Sequence, residues 1–351
     1  MPEAIWIDRE EKLPALARAL EAQAWIGVDT EFLRERTFFP KLCLLQLAAD
    51  GRIWCVDTLR IGSLDALMPA LTGAGARKVI HAARQDLEAV YLTSKRVMSP
   101  VFDTQIAAGC TGLKPQIGYA ELVKTLLDVT VPKGQTRTDW SKRPLTPEQL
   151  RYAAEDVLYL LEIADMLTER LRALGRERWA AEDCAALEDE RLYEPDPSQA
   201  WVRLRGLAQL APPSRARAKA IAVWREAQAR ARNLPRAWIM PDEAIFSVAA
   251  GAPPPLNDGL TASLVHALDQ AADDELDEAP MHDARPTAEQ KAVIERLARI
   301  VDGRARDLGV GAEILAPRGE LKALAMGKRE SHALEGWRRE EIGIRLLEAI
   351  G

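Results

Sequence analysis

The segment Trp25-Ile-Gly-Val-Asp-Thr-Glu31 decides the fold of this chain, because a short apolar run leads directly into two carboxylates. Apolar runs of about four to eight residues that end at charged or turn residues are typical of buried strands. Helical patterns lie before this run, over Leu13–Gln23, and between later strand-like runs, over Leu64–Leu71. The alternation predicts an α/β layered domain. Three more strand-like runs follow: Leu42-Cys-Leu-Leu-Gln-Leu47, Ile53-Trp-Cys-Val-Asp57 and Lys78-Val-Ile-His81.

Five polar side chains around these runs are candidates for chemistry. Asp29 and Glu31 are two apart at the end of the first strand, so both point to one face. Asp86 comes just after the last of the four strands, near the start of a predicted helix. Tyr152 and Asp156 are four apart on another predicted helix, which places them one above the other on one face.

The helix that carries the last two residues has a strong start signal. Thr146-Pro-Glu-Gln149 supplies a threonine N-cap, a proline at the first helical position and a glutamine that closes a capping box. The periodic pattern continues to about Leu174, and the chain beyond it is predicted to be almost wholly helical.

The four acids make a metal site only if the fold brings them together. Converging buried carboxylates repel one another unless cations neutralise them. Their hard oxygen atoms suit Mg²⁺ or Mn²⁺, and two such ions about 3.5–4 Å apart can promote phosphodiester hydrolysis. Taken singly, an Asp-x-Glu or a Tyr-x-x-x-Asp is also what solvated surface residues produce, so the hypothesis depends on their convergence.

Composition places the chain among globular proteins. It has 351 residues, 48% of them hydrophobic and 28% charged, enough for two or three domains. No apolar run approaches the ~20 residues that cross a bilayer, and no secretory signal is visible, so no membrane partner is expected. Four scattered cysteines without a C-x-x-C pair predict reduced thiols and a cytoplasmic protein, and four separated histidines argue against a structural zinc site.

The net charge of −6 hides an uneven distribution. From Trp201 to Met240 the chain has nine Lys or Arg against the single acid Glu226, a local charge of +8. Acids concentrate at 177–196 and 269–283. Since local charge governs where a polyanion binds, the basic stretch is compatible with nucleic acid, although a solvated helix face explains it equally well.

The helical part contains a repeat. Arg230-Ala-Arg-Asn-Leu234 returns 74 positions later as Arg304-Ala-Arg-Asp-Leu308. We therefore predict two copies of one helical module, each a small domain of its own. The predicted divisions of the chain are a catalytic domain over 1–175, an acidic linker over 176–197, a first module over 198–270 and a second over 284–351.

The ordered motifs resemble those of the DEDDy 3′→5′ exonucleases, and in particular the ribonuclease D family. The matching motifs are Asp29-Thr-Glu31, His81-Ala-Ala-Arg-Gln-Asp86 and Tyr152-Ala-Ala-Glu-Asp156, with Asp103-Thr-Gln and Thr138-Asp-Trp-Ser-Lys-Arg-Pro between them. The repeated module resembles the HRDC domain. The resemblance implies a ribonuclease H-like α/β exonuclease domain, with a mixed sheet flanked by helices, followed by two all-α HRDC domains.

The resemblance also implies roles for individual residues. Asp29, Glu31, Asp86 and Asp156 would bind two divalent ions, either Mg²⁺ or Mn²⁺. Tyr152 would mainly orient the attacking water, because a phenol is a poor base at neutral pH. The implied activity is removal of nucleoside 5′-monophosphates from RNA with a single-stranded 3′ end, such as transfer RNA precursors, and a monomer is expected.

Substrate contacts are expected from side chains near the metal site and in the basic stretch. Stacking and backbone contacts suit an enzyme that tolerates any sequence. For Phe32 and Leu33, core packing is an equally good interpretation; Trp140, Ile221 and Trp224 are expected in the core, and His81 is expected to be structural. The candidate substrate contacts are Thr30, Phe32, Leu33, Gln85, Lys133, Arg137, Lys219, Arg225 and Arg232.

Two other functions stay open at this point. One is a DEDDy exonuclease that acts on DNA, since HRDC domains also occur in helicases. The other is a nucleic-acid-binding scaffold without catalysis, which the presence of all four acids and the tyrosine disfavours. Trimming rates on matched RNA and DNA oligomers distinguish an RNA exonuclease from a DNA exonuclease. Substitution of the carboxylates distinguishes an enzyme from a binding scaffold, because only an enzyme loses hydrolysis.

Overall fold

A computed structural model describes residues 4–132, 134, 138–271 and 285–350. The chain divides into two compact units, which are described separately. The first comprises the chain up to Leu33, then Pro40–Tyr193, then Ala292 onward. The second comprises Arg34–Phe39 and Glu194–Lys291. No helix among the described residues is long and apolar enough to cross a bilayer.

The first unit is built on one mixed six-stranded sheet. Its strand order is β1-β4-β3-β2-β5-β6. Strand β3 is antiparallel to both β2 and β4, whereas the pairs β1/β4, β2/β5 and β5/β6 are parallel. The four predicted strands are confirmed, and the two short edge strands were not predicted. The strands are β1 (Ile5–Ile7), β2 (Trp25–Leu33), β3 (Lys41–Ala49), β4 (Arg52–Val56), β5 (Arg77–Ile80) and β6 (Val101–Asp103).

Helices cover the sheet and bury its apolar residues in two large clusters. The capping box at Thr146 is confirmed by both of its hydrogen bonds, and the predicted periodic segment is divided at Tyr159 into two helices. The helix predicted over Leu64–Leu71 begins only at Met68. The helices up to the end of this region are α1 (Leu13–Glu21), α2 (Met68–Thr72), α3 (Arg84–Ser94), α4 (Thr104–Cys110), α5 (Tyr119–Leu127), α6 (Pro147–Leu158), α7 (Leu160–Leu174) and α8 (Glu177–Ala185).

The predicted linker over 176–197 is wrong for most of its length. Its first half forms α8, which buries Trp179 and Cys184 in the first unit. Its apolar residues pack inward although acids lie between them, and composition alone does not show which side of a helix is buried. A chain segment with a buried tryptophan is part of the domain core rather than a connection.

The repeat is present, and its structural offset is 76 positions rather than 74. The second copy follows the first element by element, with the same offset at both ends of the longest helix. The helices of the first copy are α9 (Pro212–Arg232), α10 (Arg236–Ile239), α11 (Asp242–Ala249) and α12 (Asp258–Ala271). Those of the second are α13 (Ala288–Leu308), α14 (Ala312–Leu315), α15 (Arg318–Ala325), α16 (Gly336–Arg338) and, after a π-helical stretch, α17 (Ile344–Ile350).

The second copy is not the separate domain that we predicted, because it shares its core with the catalytic region. Trp337 stacks on Trp179 with ring centroids 4.1 Å apart and planes 10° apart. The guanidinium of Arg338 donates to both carboxylate oxygens of Asp183, with 2.5 and 2.8 Å between the paired atoms. If the second copy separated from the catalytic region, the faces of both tryptophan rings would be exposed to water as a large apolar surface. The second copy is therefore part of the first unit.

Candidate active site

The first two acids lie on the central strand β2. Asp29 and Glu31 follow the buried residues Ile26 and Val28, so the strand carries them from the core to its open end. A shift in the register with β3 falls between Glu31 and the next residue. Such irregularities re-aim the side chains that follow them.

Asp86 reaches the same place from α3. It lies in the first turn of that helix and is only 7% exposed. The Thr30 hydroxyl donates a hydrogen bond of 2.6 Å to Asp86 Oδ1. Thr30 was expected to contact substrate, but its side chain is buried and bonded inward, so it holds Asp86 in place instead.

Tyr152 and Asp156 lie on successive turns of α6, and their side chains are hydrogen-bonded to each other. Trp140 is buried as predicted and packs against the Tyr152 ring, with 6.1 Å between centroids. Arg143 anchors the loop that carries Trp140, because its Nε and Nη2 donate to the fully buried Asp57 at 2.8 and 2.7 Å. The Thr138-to-Pro144 motif therefore positions Tyr152 through the packing of Trp140 against its ring.

The predicted convergence is present. One carboxylate oxygen from each of Asp29, Glu31 and Asp156 lies within 4.8 Å of the others. Asp86 is close enough that its charge raises the pKa of both Asp29 and Glu31. All four acids therefore meet at one site although 127 positions separate the first from the last.

Burial and mutual repulsion make these carboxylates reluctant to ionise. Burial, together with the charges of Asp156 and Asp86, raises the pKa of Glu31 to about 9. Burial raises the pKa of Asp86 and of Asp156 to about 7, and it raises that of Asp29 well above its ordinary value. Such a cluster is stable in its ionised form only with positive charge among its oxygens, which fits divalent cations with oxygen ligands.

One polar contact of the site was not predicted. Gln46 on β3 lies directly opposite Asp29 in the antiparallel pair and is fully buried. Its Nε2 donates to Asp29 Oδ2 at 3.4 Å. In the sequence, Gln46 stands out as the one polar residue of the run Leu42–Leu47, but only the strand register shows which acid it meets.

The other residues predicted near the metal site have different environments. Phe32 and Leu33 are half-buried at the edges of the apolar clusters, and Gln85 is exposed on the first turn of α3. Lys133 and Arg137 lie outside the described residues.

His81 and Asp103 are structural. The His81 Nε2 lies 3.0 Å from the Ile117 carbonyl oxygen and its Nδ1 lies 2.9 Å from the Thr104 hydroxyl. Because a carbonyl only accepts, Nε2 carries the proton and Nδ1 accepts. Asp103 caps α4 by accepting from the amides of residues 105 and 106. The interpretation of His81 as a hydrogen-bonding residue agrees with these contacts.

Two of the three basic residues proposed to contact the RNA backbone are buried, so these predictions are wrong. Lys219 is 1% exposed, and its ammonium lies 4.2 Å from the centre of the Trp201 ring. Arg225 is 7% exposed and donates to the Met240 carbonyl and to Asp242. Both lie on the side of α9 that faces its own module. The third residue, Arg232, is exposed, and Ile221 and Trp224 are in the core as predicted.

Comparison with known proteins agrees with this site. A family model described as 3'-5' exonuclease matches residues 4–172, and a model described as HRDC domain matches residues 214–259. Ribonuclease D of Sphingobium indicum is 38% identical over 91% of this chain and 87% of its own length. Ribonuclease D of Xanthomonas oryzae pv. oryzae is 37% identical over 98% of both chains. This chain belongs to the ribonuclease D family.

A solved structure supports the same assignment. The crystal structure of Escherichia coli RNase D has a TM-score of 0.89 and 27% identity, and the match covers 99% of this chain and 98% of that one. As a ribonuclease D, the protein is a 3′→5′ exoribonuclease that hydrolyses phosphodiester bonds. Exonucleases of this family typically use divalent metals, and the acidic cluster has oxygen atoms close enough together to hold a metal ion. The HRDC model matches the first module alone, so the second as an HRDC domain stays a prediction.

Proposed function

We propose that this ribonuclease D trims the 3′ ends of transfer RNA precursors and other structured RNAs with Mg²⁺ or Mn²⁺. The observation that carries the proposal is the meeting of Asp29, Glu31 and Asp156 oxygens within 4.8 Å beside the buried Asp86. The Escherichia coli relative is described as an exoribonuclease involved in structured RNA processing, which supports this class of substrate.

The four carboxylates would hold the two ions, and Tyr152 would orient the nucleophile. Bound divalent ions lower the pKa of water and neutralise charge on the phosphodiester. Burial and the charges of Asp156 and Glu31 raise the Tyr152 pKa, so the phenol stays protonated at neutral pH. It therefore acts as a hydrogen-bonding group whose direction is fixed by Asp156 and by the Trp140 ring. Hydrolysis at the terminal phosphodiester would release nucleoside 5′-monophosphates.

Residues around the cluster would seat the 3′ end. Phe32 and Leu33 follow Glu31 on β2 and offer apolar surface to the last bases, while Gln85 offers an amide beside Asp86. Base stacking contributes about 1–3 kcal/mol per base without regard to sequence, which suits a trimming enzyme. Lys133, Arg137 and the exposed Arg232 would contact phosphates.

The working state of the enzyme is proposed to be a monomer in the cytoplasm. All four cysteines are buried and free, which supports a reducing compartment.

The test is a 3′-extended transfer RNA incubated with and without a chelator, together with Asp29→Asn and Asp156→Asn variants. We expect the wild type to shorten the RNA from its 3′ end only with divalent metal, and each variant to lose this activity while it still binds RNA. Asp65→Asn, at an exposed acid, is the matched control and should trim normally. Full activity in either active-site variant would contradict the metal assignment, and equal trimming of a matched DNA would contradict the preference for RNA.

A further inference from the structure

The helical segment that carries Tyr152 and Asp156 is interrupted at Tyr159, where α6 ends and α7 begins. In an unbroken helix the Tyr159 amide would donate to the carbonyl oxygen of Glu155, four residues earlier. Here it donates to the hydroxyl of Tyr119, at 3.2 Å, and this hydroxyl donates to the Glu155 carbonyl oxygen at 3.0 Å. One phenol is thus inserted into the hydrogen-bond ladder, which is a physical cause of a helix break.

The two helices that meet at this break lie over different strands. Helix α6 packs against β4, β3 and β2, whereas α7 packs against β2 and β5. The first residue of α7 is close to β2, since a Cβ added at Gly27 would lie 3.5 Å from the Leu160 Cβ. Gly27 is two residues before Asp29 on this strand. The break therefore lies beside the strand that carries the first two acids.

Asp156 lies inside the turn that Tyr119 bridges, because it directly follows Glu155. Tyr152 lies one turn earlier, and its side chain is hydrogen-bonded to that of Asp156. Burial raises the pKa of the Tyr119 phenol, and the nearby charges of Asp156 and Asp29 raise it further. The phenol therefore stays protonated at neutral pH, so its hydrogen is available to the Glu155 carbonyl oxygen.

Tyr119 is itself held in place by side chains of two sequence motifs. It is the first residue of α5, and the carbonyl oxygen of Ile117 before it accepts from His81 Nε2 and Gln105 Nε2, both at 3.0 Å. The centroid of the His81 ring also lies 5.7 Å from that of the Tyr119 ring. His81 belongs to the motif that ends in Asp86. Tyr119 therefore joins the motif of the third acid to the turn that carries the fourth.

We propose that Tyr119 is a positioning residue, which fixes the break between α6 and α7 and thereby directs Asp156 and Tyr152 into the metal site. This role rests on the proposed function, since it requires Asp156 to bind metal and Tyr152 to orient the water. Phe32 and Leu33, which would seat the terminal bases, are held by pairing with β3 and do not depend on this contact. Loss of the hydroxyl should therefore weaken metal binding and slow the chemical step without weakening RNA binding.

Tyr119→Phe tests the role, because it removes the hydroxyl and keeps the ring. Tyr193→Phe is the matched control: Tyr193 belongs to the same unit, is 3% exposed and donates its hydroxyl to the Leu187 carbonyl oxygen. On a 5′-labelled single-stranded oligoadenylate at saturating Mg²⁺, we expect Tyr119→Phe to lower kcat about tenfold, because the catalytic groups are misdirected. KM should stay within about twofold of wild type. Tyr193→Phe should change neither parameter.

A second measurement reports on metal binding without activity. The Mg²⁺ concentration that gives half of the maximal thermal shift should rise about tenfold in Tyr119→Phe and stay at its wild-type value in Tyr193→Phe. Gln105→Leu tests the same role with Tyr119 intact, because it removes one of the two donors to Ile117 and should lower kcat about threefold. The double variant should be no slower than Tyr119→Phe, since both changes act on one contact.

Wild-type kcat and Mg²⁺ affinity in Tyr119→Phe would overturn the positioning role and leave the nuclease assignment intact. Equal losses in Tyr119→Phe and Tyr193→Phe would overturn it too, because they would indicate a general effect on stability, and so would a rise in KM alone. If Tyr119→Phe does not fold, wild-type kcat in Gln105→Leu overturns the role. Full activity in Asp156→Asn refutes the proposed metal site, and the positioning role with it.

Discussion

Replacing Asp86 by Asn should stabilise the metal-free protein while it abolishes trimming. Burial raises the pKa of Asp86 from 3.8 to about 7, against the hydrogen bond from Thr30, which lowers it. Because the pKa is higher in the folded state, the contribution of this group to stability is complete below its unfolded pKa and is lost as the pH rises to 7. An asparagine does not ionise, and its Oδ1 still accepts from Thr30.

The size of the effect follows from the shift. Three pKa units correspond to a cost of about 4 kcal/mol for ionising Asp86 in the folded protein, at about 1.4 kcal/mol per unit, and Asp86→Asn removes this full cost at pH 8. At pH 5, only about one unit separates the pH from the unfolded pKa, so the gain in stability from Asp86→Asn falls to less than half of its value at pH 8. The stabilisation by Asp86→Asn should therefore grow by more than twofold between these pH values.

The assay is urea unfolding of both proteins with EDTA present, repeated from pH 5 to pH 8. Saturating Mg²⁺ should reverse the order, because it binds and stabilises only the folded wild type. The exposed Asp65→Asn variant should change stability by less than about 0.5 kcal/mol at every pH. A variant that is less stable than wild type at pH 8 without metal, or a gain that does not vary with pH, would refute the electrostatic reasoning.

Two further predictions concern the same site. Affinity for Mg²⁺, measured by the thermal shift that it produces, should fall as the pH is lowered from 8 to 6, because carboxylates with pKa values of about 7 and 9 must lose protons to bind metal. Arg143→Met removes both guanidinium hydrogen bonds to the buried Asp57 and should cost about 3–5 kcal/mol in urea unfolding. It should also slow RNA trimming, because the loop that packs Trp140 against Tyr152 loses its anchor; normal trimming would show that this packing does not matter.

The sequence was sufficient for the parts of the fold whose signal is local. Each of the four long strands is an apolar run, and the capping box at Thr146 needs only four residues. The edge strands β1 and β6 have three residues each, too few to show a pattern, and they form because β4 and β5 offer them partners. Strand order depends on such partners, so local patterns do not determine it.

For the candidate site, residue type and spacing identified the acids, but not the groups that orient them. Thr30 and Gln46 each bind an acid that is remote in the sequence or on another strand. Lys219 and Arg225 were wrongly predicted to contact RNA for a different reason. That prediction counted the charges of the basic stretch and did not ask which face of the helix each residue occupies. Arg225 falls four residues after the buried Ile221 on α9, so the helical period already indicated an inward face.

The two copies of the helical module have the same order of helices but belong to different units, and they differ at single positions. At the position of Arg225, which needs Asp242 as a partner, the second copy has the buried Val301 and no such requirement. At the position of Trp238, which is 61% exposed, the second copy has Ile314. A Cβ added at Gly109 of α4 would lie 2.7 Å from the Ile314 Cδ1, so the two helices approach as closely as a glycine permits. The apolar Ile314 therefore packs against α4 in the catalytic unit, while its counterpart in the first copy, Trp238, stays exposed.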